Sequence, residues 1–412
     1  RAVNASDAAS SGDAASDRAL ERVVRAESAR ILAALTTSLG NLDLAEESVA
    51  EAVAEALVGW RVRGVPPNPA AWLTTAARHN ALDRLRRDKR YRQKLAILSD
   101  RAPLVDTEMD ERLPLLFGCC HPALSEPAQL ALTLRAVCGL TTEQIARATM
   151  STPTAVGQRI VRAKRRIGAA GIPLRVPEGG ERAPRLDMVL TVISVMYNMA
   201  HLLPGADSGG DRDVAEDALW LAEVVARALP GEPEAWGLVA LLKFHRSREP
   251  ARALEGEMVL LADQDRTRWD AALQRDAHRA LSRAAGMRRS GRWQLHAAIA
   301  ACHSDAQHFA DTDWAQIVAL YDLLLVHDAS PVVRLNRAVA VGQTGDVKHA
   351  LAEVEVLHDD LVRFHLWHAV RGDLLRRTGR EEEALAALRD AHELAVNDAE
   401  RRLLRSRVSL EL

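Results

Sequence analysis

Apolar residues recur at intervals of three and four along nearly the whole chain, the spacing that turns one face of an α-helix toward a core. The pattern starts near Asp17 and runs to about Tyr91, broken at Gly40-Asn41 and again over Gly64-Val-Pro-Pro-Asn-Pro69, where successive prolines stop a helix. It resumes from Leu113 to about Ala170. A further break, Gly171-Ile-Pro-Leu-Arg-Val-Pro-Glu-Gly-Gly, leads into a long C-terminal half in which helix patterns alternate with short Gly, Pro or Asp stops as far as Leu412. Gly and Pro do not recur at strand-like intervals, so the pattern predicts an all-α protein.

The periodic blocks also set the domain organisation, since 412 residues exceed what one ordinary core accommodates. Residues 1–16 are polar and small, begin with Arg rather than Met, and read as a disordered tail. A helical unit is expected over 17–95. Residues 96–112 hold Pro103 and the acids Asp100, Asp106, Glu108, Asp110 and Glu111, the profile of a solvated linker. A second helical unit follows over 113–170, then a linker over 171–187 and a helical half over 188–412.

That half contains a repeat. Val333–Leu351 aligns with Trp367–Leu385, matching Arg337 with Arg371, Gly345 with Gly379, Ala350 with Ala384 and Leu351 with Leu385, an offset of 34 residues. This is the period of tetratricopeptide helical hairpins. Small residues fall where two helices would touch, Ala338 and Gly372 in the first helix, Ala350 and Ala384 in the second. Segments such as Asp213–Ala228 and Asp313–Val326 look like helical pairs without that register. The half is therefore repeat-like, and only its end is tetratricopeptide in pattern.

Charge changes the picture only locally. A formal net charge of -2 gives no overall attraction to nucleic acid. Cys119, Cys120, Cys138 and Cys302 show no CxxC spacing, which argues against a disulfide framework or a common zinc module. No signal-like or membrane-spanning apolar run occurs, and the expected compartment is the cytoplasm.

The strongest local signal is Leu140–Ile167, which reads as a helix-turn-helix. Thr141 and Gln144 form a capping box for its first helix; Thr152 followed by Pro153 starts the second. In that second helix Val156, Ile160, Ala163 and Ile167 share one face, while Thr154, Gln158, Arg162 and Arg165 share the opposite one. Polar side chains on the second face suit base edges, and Arg159, Lys164 and Arg166 flank it as candidate phosphate contacts. The competing reading is an ordinary solvated surface helix.

Upstream, Arg78-His-Asn-Ala-Leu-Asp-Arg-Leu-Arg-Arg-Asp-Lys-Arg-Tyr-Arg-Gln-Lys94 is strongly basic, with Leu82 and Leu85 holding it to its core. Its arginines suit a phosphate backbone, and Asn80 and Asp83 are candidates for exposed bases. Trp72 reads as a core residue. Between Asp43 and Trp60 a helix carries Ala45, Val49, Ala52, Val53, Ala56 and Trp60 on one side and the acids Glu47, Glu51 and Glu55 on another. An acidic stripe does not face DNA; it is a solvated face or a docking surface for a basic protein.

An acidic helical unit ending in a basic helix, an acidic linker and then a helix-turn-helix resembles regions two and four of the extracytoplasmic-function sigma factors. Asp43-Leu-Ala-Glu-Glu-Ser-Val-Ala-Glu-Ala-Val-Ala-Glu-Ala is similar to the segment that docks on the clamp helices of the RNA polymerase β′ subunit. Asn68-Pro-Ala-Ala-Trp-Leu-Thr-Thr-Ala-Ala-Arg-His-Asn-Ala-Leu-Asp-Arg-Leu-Arg-Arg87 is similar to the segment that melts and reads the minus-ten element. Leu116-Phe-Gly-Cys-Cys-His-Pro-Ala-Leu-Ser, Gly171-Ile-Pro-Leu-Arg-Val-Pro177, Asp263-Gln-Asp-Arg-Thr-Arg-Trp-Asp270, Gln294–His303, Asp311–Ile317 and Ser330–Val341 resemble a subgroup with a tetratricopeptide-like C-terminal extension. One departure stands out. Where that subgroup carries a Phe-Asn-Glu-Gly-Tyr run, this chain reads Met196-Tyr-Asn-Met-Ala-His201 and keeps only Asn198 in register.

The resemblance implies a non-enzymatic factor that binds core RNA polymerase through β′ and the β-flap and recognises promoter DNA. Region two would span 17–95, with Asp43, Glu47, Glu51 and Glu55 docking polymerase and Arg78, Asn80, Asp83, Arg84, Arg86 and Arg87 at the minus-ten element. Region four would span 113–170, with Thr152, Thr154, Gln158, Arg159, Arg162, Lys164 and Arg165 at the minus-thirty-five element. The C-terminal half would set activity, by contact with the sigma regions or with an unidentified protein or ligand. No cofactor or metal is expected: Cys119, Cys120, His121 and Cys138 read as buried thiols and a neighbour, and Asp263, Asp265, Asp270, His296 and His303 fit no catalytic geometry. The principal rival is a self-sufficient helix-turn-helix regulator with a sensing repeat domain, which leaves the acidic helix and the first basic helix unexplained. A peptide-holding scaffold leaves both basic helices without a role.

Overall fold

The computed structural model describes residues 3–87, 112–149, 151–172, 174–201, 214–254, 257–395 and 398–409. The chain separates into two compact units, Arg1–Val195 and Met196–Leu412. Both are helical. Among the described residues the only strands are two-residue segments, β1 (Ala253–Leu254) and β2 (Glu257–Met258), paired antiparallel. No described helix is long and apolar enough to cross a membrane.

The N-terminal unit opens with three helices, α1 (Val3–Leu39), α2 (Leu42–Arg63) and α3 (Pro69–Arg87). The breaks between them are those the sequence announces. Gly40 and Gly64 take positive φ, 62° and 81°, which a residue with a Cβ resists. Asn41 then caps α2 by accepting from the Leu44 N–H, and Asn68 accepts from Ala71 at the start of α3. Apolar side chains at four-residue steps, Leu73, Ala77, Ala81 and Leu85, line the buried face of α3. Leu82, assigned to that face from sequence, is half-buried beside it. Ala45, Ala52, Ala56 and Trp60 bury as expected in α2, whereas Val49 and Val53 are half-buried and Leu42, Ser48 and Gly59 take the remaining inner positions.

One expectation needs correction. Residues 3–16 are helical, not a disordered tail: α1 extends through an alanine-rich run whose helix propensity lets a packed helix propagate at little cost. Its inner end is anchored where Ser16 Oγ donates to the Trp60 carbonyl and Asp17 pairs with Arg61 at 2.5 Å. The segment 171–187, expected as a linker, is partly packed. Ile172 is buried, Leu174 lies against Gly118, and Arg185 donates to the Phe117 carbonyl at 2.7 Å. The linker expected over 96–112 and the basic stretch beyond residue 87 lie outside the described residues, except for Arg112.

The rest of this unit is α4 (Arg112–Cys119), α5 (Glu126–Ala136), α6 (Thr142–Ala148), α7 (Pro153–Ala169) and the part of α8 (Arg182–His201) up to Val195. Leu113, Leu115, Leu116 and Phe117 are almost wholly buried, as are Leu132 and Leu134 of α5.

The C-terminal unit strings helical hairpins in sequence: α9 (Val214–Ala228), α10 (Pro233–Ser247), the single turn α11 (Glu249–Arg252), α12 (Ala271–Gly286), α13 (Arg292–Asp305) and α14 (Trp314–Leu324). They are followed by α15 (Pro331–Gln343), α16 (Val347–Val356), α17 (His358–Leu361), α18 (His365–Arg377), α19 (Glu381–Leu394) and α20 (Asp398–Ser409). The internal repeat is structural as well as sequential. Gly345 and Gly379 both turn at positive φ, 103° and 78°, after Thr344 and Thr378, whose hydroxyls donate to Val341 and Leu375 carbonyls. Ala338, Ala350 and Ala384 are fully buried, and a Cβ on Gly372 would come within 3.2 Å of the Ala384 carbonyl oxygen.

Candidate nucleic-acid interface

The helix-turn-helix forms as its caps require. Thr141 Oγ1 accepts from the Gln144 N–H at 3.2 Å, and Gln144 Oε1 accepts from the Thr141 N–H at 2.8 Å, a reciprocal capping box for α6. Thr152 Oγ1 accepts from the Ala155 N–H at the start of α7. Behind them, the turn out of α5 is held by Gly139 at φ 71° and by Arg135, which donates to the Leu140 carbonyl at 3.0 Å.

The two faces of α7 separate cleanly. Val156, Ile160, Ala163 and Ile167 are buried against α5 and α6. Thr154, Gln158, Arg162 and Arg165 are exposed, together with Thr152 and Arg166, and Arg159 is half-buried. Arg162 reaches back to Gln158 Oε1 at 3.3 Å, so two of the expected base-facing side chains are already oriented along one edge. This surface is cationic, with four exposed hydrogen-bonding side chains one or two helical turns apart, and it suits a helix in a major groove.

Lys164 is the exception. Its side chain is 13% exposed and pairs with Glu46 of α2, while Asp43 lies 3.2 Å away. It points toward the acidic helix, on the side of α7 turned away from Gln158 and Arg162. Glu46 was not singled out from sequence, although its spacing of three from Asp43 puts both acids on one face of α2. Nearby, burial pushes the Cys119 thiol well up, and it pushes Cys120 up to about 12 despite a bond with Thr133. These thiols are packing groups.

In the first three helices the acidic and basic candidates interlock. Arg84 reaches Glu47 at 2.5 Å and Glu51 at 3.2 Å, and Asn80 donates to Glu55 Oε1 at 3.1 Å. The order reverses along the two helices, 84 against 47 and 51, 80 against 55, because α2 and α3 run antiparallel and four-residue steps on each meet in opposite sense. The acidic stripe is thus neither simply solvated nor wholly free. All these pairs are solvent-exposed, and each contributes well under about 1 kcal/mol. Arg86 pairs with Asp83 at 3.1 Å, Arg78 is half-buried, and Arg87 closes α3. Trp72, expected in the core, is half-buried and packs edge-on to Trp60, ring centres 5.7 Å apart.

In the C-terminal unit, Asp265 and Asp270 cap the turn at 266–268 and helix α12, as carboxylates at helix starts usually do. Among the described residues no group of three or more His, Cys, Asp or Glu is placed to hold a metal ion.

Comparison with known families gives this geometry its context. Residues 23–91 match Sigma-70 region 2, covering α2 and α3, and residues 115–167 match Sigma-70, region 4, covering the helix-turn-helix. Residues 185–285 match a family of unknown function, DUF6596. An uncharacterized protein of Rhizobium meliloti (strain 1021) is 40% identical over 386 residues, 91% of each chain. With Sigma-70 region 2 and region 4 both matched, and in that order, the chain belongs to the sigma-70 family of sigma factors.

Proposed function

We propose that this sigma factor is of the extracytoplasmic-function type, with a tetratricopeptide-like C-terminal half that sets its activity. In this reading the acidic face of α2, with Asp43, Glu47, Glu51 and Glu55, docks on the β′ clamp helices in the cytoplasm. Helix α3 opens and reads the minus-ten element through Arg78, Asn80, Asp83, Arg84, Arg86 and Arg87. Helix α7 reads the minus-thirty-five element through Thr152, Thr154, Gln158, Arg159, Arg162 and Arg165 while its domain rests on the β-flap. Lys164 reaches phosphate only after leaving Glu46.

The observation that carries the reading is the clean division of α7 into a buried apolar face and an exposed polar one. The 34-residue hairpin repeat, with small residues at each close approach, supports the tetratricopeptide assignment. Run-off transcription with purified core polymerase tests it, comparing the full chain with one ending at His201, which keeps all of α8. Transcription that starts only when the chain is added, and differs between the two lengths, is the expected result. Failure to bind core polymerase alongside tight binding to a duplex operator would replace it with a self-sufficient regulator.

A further inference from the structure

In the C-terminal unit Arg248 and Arg266 converge on one indole, Arg252 bears on Arg248, and few of the described residues neutralise them. Arg248 caps the end of α10, Arg252 closes α11, and Arg266 opens the single turn at 266–268. The guanidinium carbons of Arg248 and Arg266 lie 5.4 and 4.9 Å from the centre of one indole, Trp269, which is 5% exposed. Arg266 donates through Nη1 to the carbonyls of His303 and Ala306 at 2.6 and 2.7 Å. Its Nη2 is buried with no hydrogen-bond partner among the described residues, and so are Arg248 Nε, Trp269 Nε1 and His303 Nδ1.

The surrounding charges do not explain the arrangement. Among the described residues Asp311 bears on Arg266 and Glu249 on Arg252, but Glu249 is already paired with Arg246 at 2.9 Å. The groups bearing on Arg248 are Arg252, Arg266 and Tyr197. Burial and then these two cations push the Arg248 guanidinium down to about 10; burial followed by Arg248 and Arg266 holds His303 down at about 4, neutral near pH 7. Elsewhere in the same unit the chain neutralises its half-buried cations. Arg337 sits between Asp322 and Glu353 at 2.7 and 2.5 Å, and Arg371 meets Glu355 at 2.9 Å. Buried donors left unmade are costly and tend to mark a site for something not supplied by the chain.

We propose that Arg248, Arg252 and Arg266, with the Trp269 indole N–H, form a receptor for a phosphoryl oxyanion inside the C-terminal unit. A phosphoryl group carries up to two negative charges and at least three acceptor oxygens, which matches three cations and the additional buried donors. A monocarboxylate offers one charge and two oxygens, too few for this set. His303, whose Nδ1 is buried without a partner among the described residues and whose carbonyl accepts from Arg266, adds a further ring nitrogen beside it. The site is formed by Arg248, Arg252, Arg266, Trp269 and His303 and stands independently of how the sigma regions engage polymerase.

Thermal unfolding of the full chain, titrated with potassium phosphate against potassium chloride at matched ionic strength, tests the proposal. Phosphate is expected to raise the midpoint saturably and chloride is not. Arg248→Met and Arg266→Gln should each weaken the apparent phosphate affinity by about tenfold or more, while Arg279→Gln, on the exposed side of α12, leaves it unchanged. Without phosphate Arg248→Met should melt no lower than the parent, because one of three mutually repelling cations has gone; lost response is then not lost fold. Parallel titrations with adenosine monophosphate separate a free phosphate from a phosphorylated small molecule by which saturates first. Equal stabilisation by phosphate and chloride, or variants that respond like the parent, overturns the assignment.

Discussion

Lys164 of α7 and Glu46 of α2 form an ion pair that ties the second helix of the helix-turn-helix to the acidic helix of the first domain. Elements at minus ten and minus thirty-five, roughly 25 base pairs apart, are about 85 Å apart along a duplex at ~3.4 Å per base pair. Under the proposed assignment of α3 and α7 to these two elements, the pair opens before both are read at once. Lys164 and Glu46 are 13% and 21% exposed, so losing one partner strands a desolvated charge. Lys164→Met is expected to destabilise the N-terminal unit by about 2 kcal/mol, and the swap of Lys164→Glu with Glu46→Lys to recover most of it. Urea denaturation of the parent, Lys164→Glu, Glu46→Lys and the chain carrying both, a double-mutant cycle, measures the coupling. Additive effects would show that the two side chains do not cooperate.

Thr152 has two roles that substitution can pull apart. Thr152→Ala removes the N-cap of α7 and should cost about 1 kcal/mol. Thr152→Asp keeps a capping oxygen and adds a charge favoured at a helix N-terminus, so stability should hold. The same charge beside a phosphate backbone should weaken promoter binding at least severalfold. Denaturation and a gel-shift titration with polymerase present read the two effects separately; unchanged promoter binding in the Asp variant would remove Thr152 from the DNA surface.

Gly237 of α10 touches α13 without a side chain between them. A Cβ there would lie 2.7 Å from the Gln294 backbone nitrogen and 3.0 Å from the Trp293 carbonyl carbon. Backbone cannot rotate away as a side-chain tip does. Gly237→Ala should lower the stability of the C-terminal unit by about 2 kcal/mol, while Gly286→Ala, where nothing lies within 4 Å, should stabilise slightly or be neutral. Calorimetry on the two variants checks the contrast.

Acid should act through His303. Its folded pKa, held near 4 by burial and the Arg248 and Arg266 charges, lies below the ordinary value of 6.5. As pH falls the unfolded chain therefore takes up the proton first. The folded state is fully favoured above about pH 6.5, and on the order of 3 kcal/mol is lost by pH 4. His303→Gln should flatten the melting temperature across that window relative to the parent chain. A parent and variant with parallel pH curves would show that His303 is not the titrating group.

Much of this was legible from residue spacing. The faces of α7, both caps of the helix-turn-helix, the breaks at Gly40 and Gly64 and the paired turns at Gly345 and Gly379 follow from local rules that operate within one or two helical turns. What escaped was tertiary. Nothing local says that Lys164 turns from DNA toward Glu46, that Arg84 meets Glu47 and Glu51 across an antiparallel pair, or that residues 3–16 continue a helix whose far end is packed. The arginines at 248, 252 and 266 were invisible for the same reason. They sit at a helix end and in two single turns, and only the closing of α10 on the segment at 266–269 brings Arg248 and Arg266 to one indole.

Glu234, at the start of α10, accepts from the backbone N–H groups of Trp293 and Gln294 and from the Gln294 side chain, partners 59 and 60 residues further on. The cap that α13 requires at its first turn is thus held by another helix. Neither helix completes itself in isolation, and a loop of that length must close before the cap exists. Helices α10 and α13 are thus coupled through one carboxylate, and loss of Glu234 would leave the first turn of α13 without its side-chain acceptor.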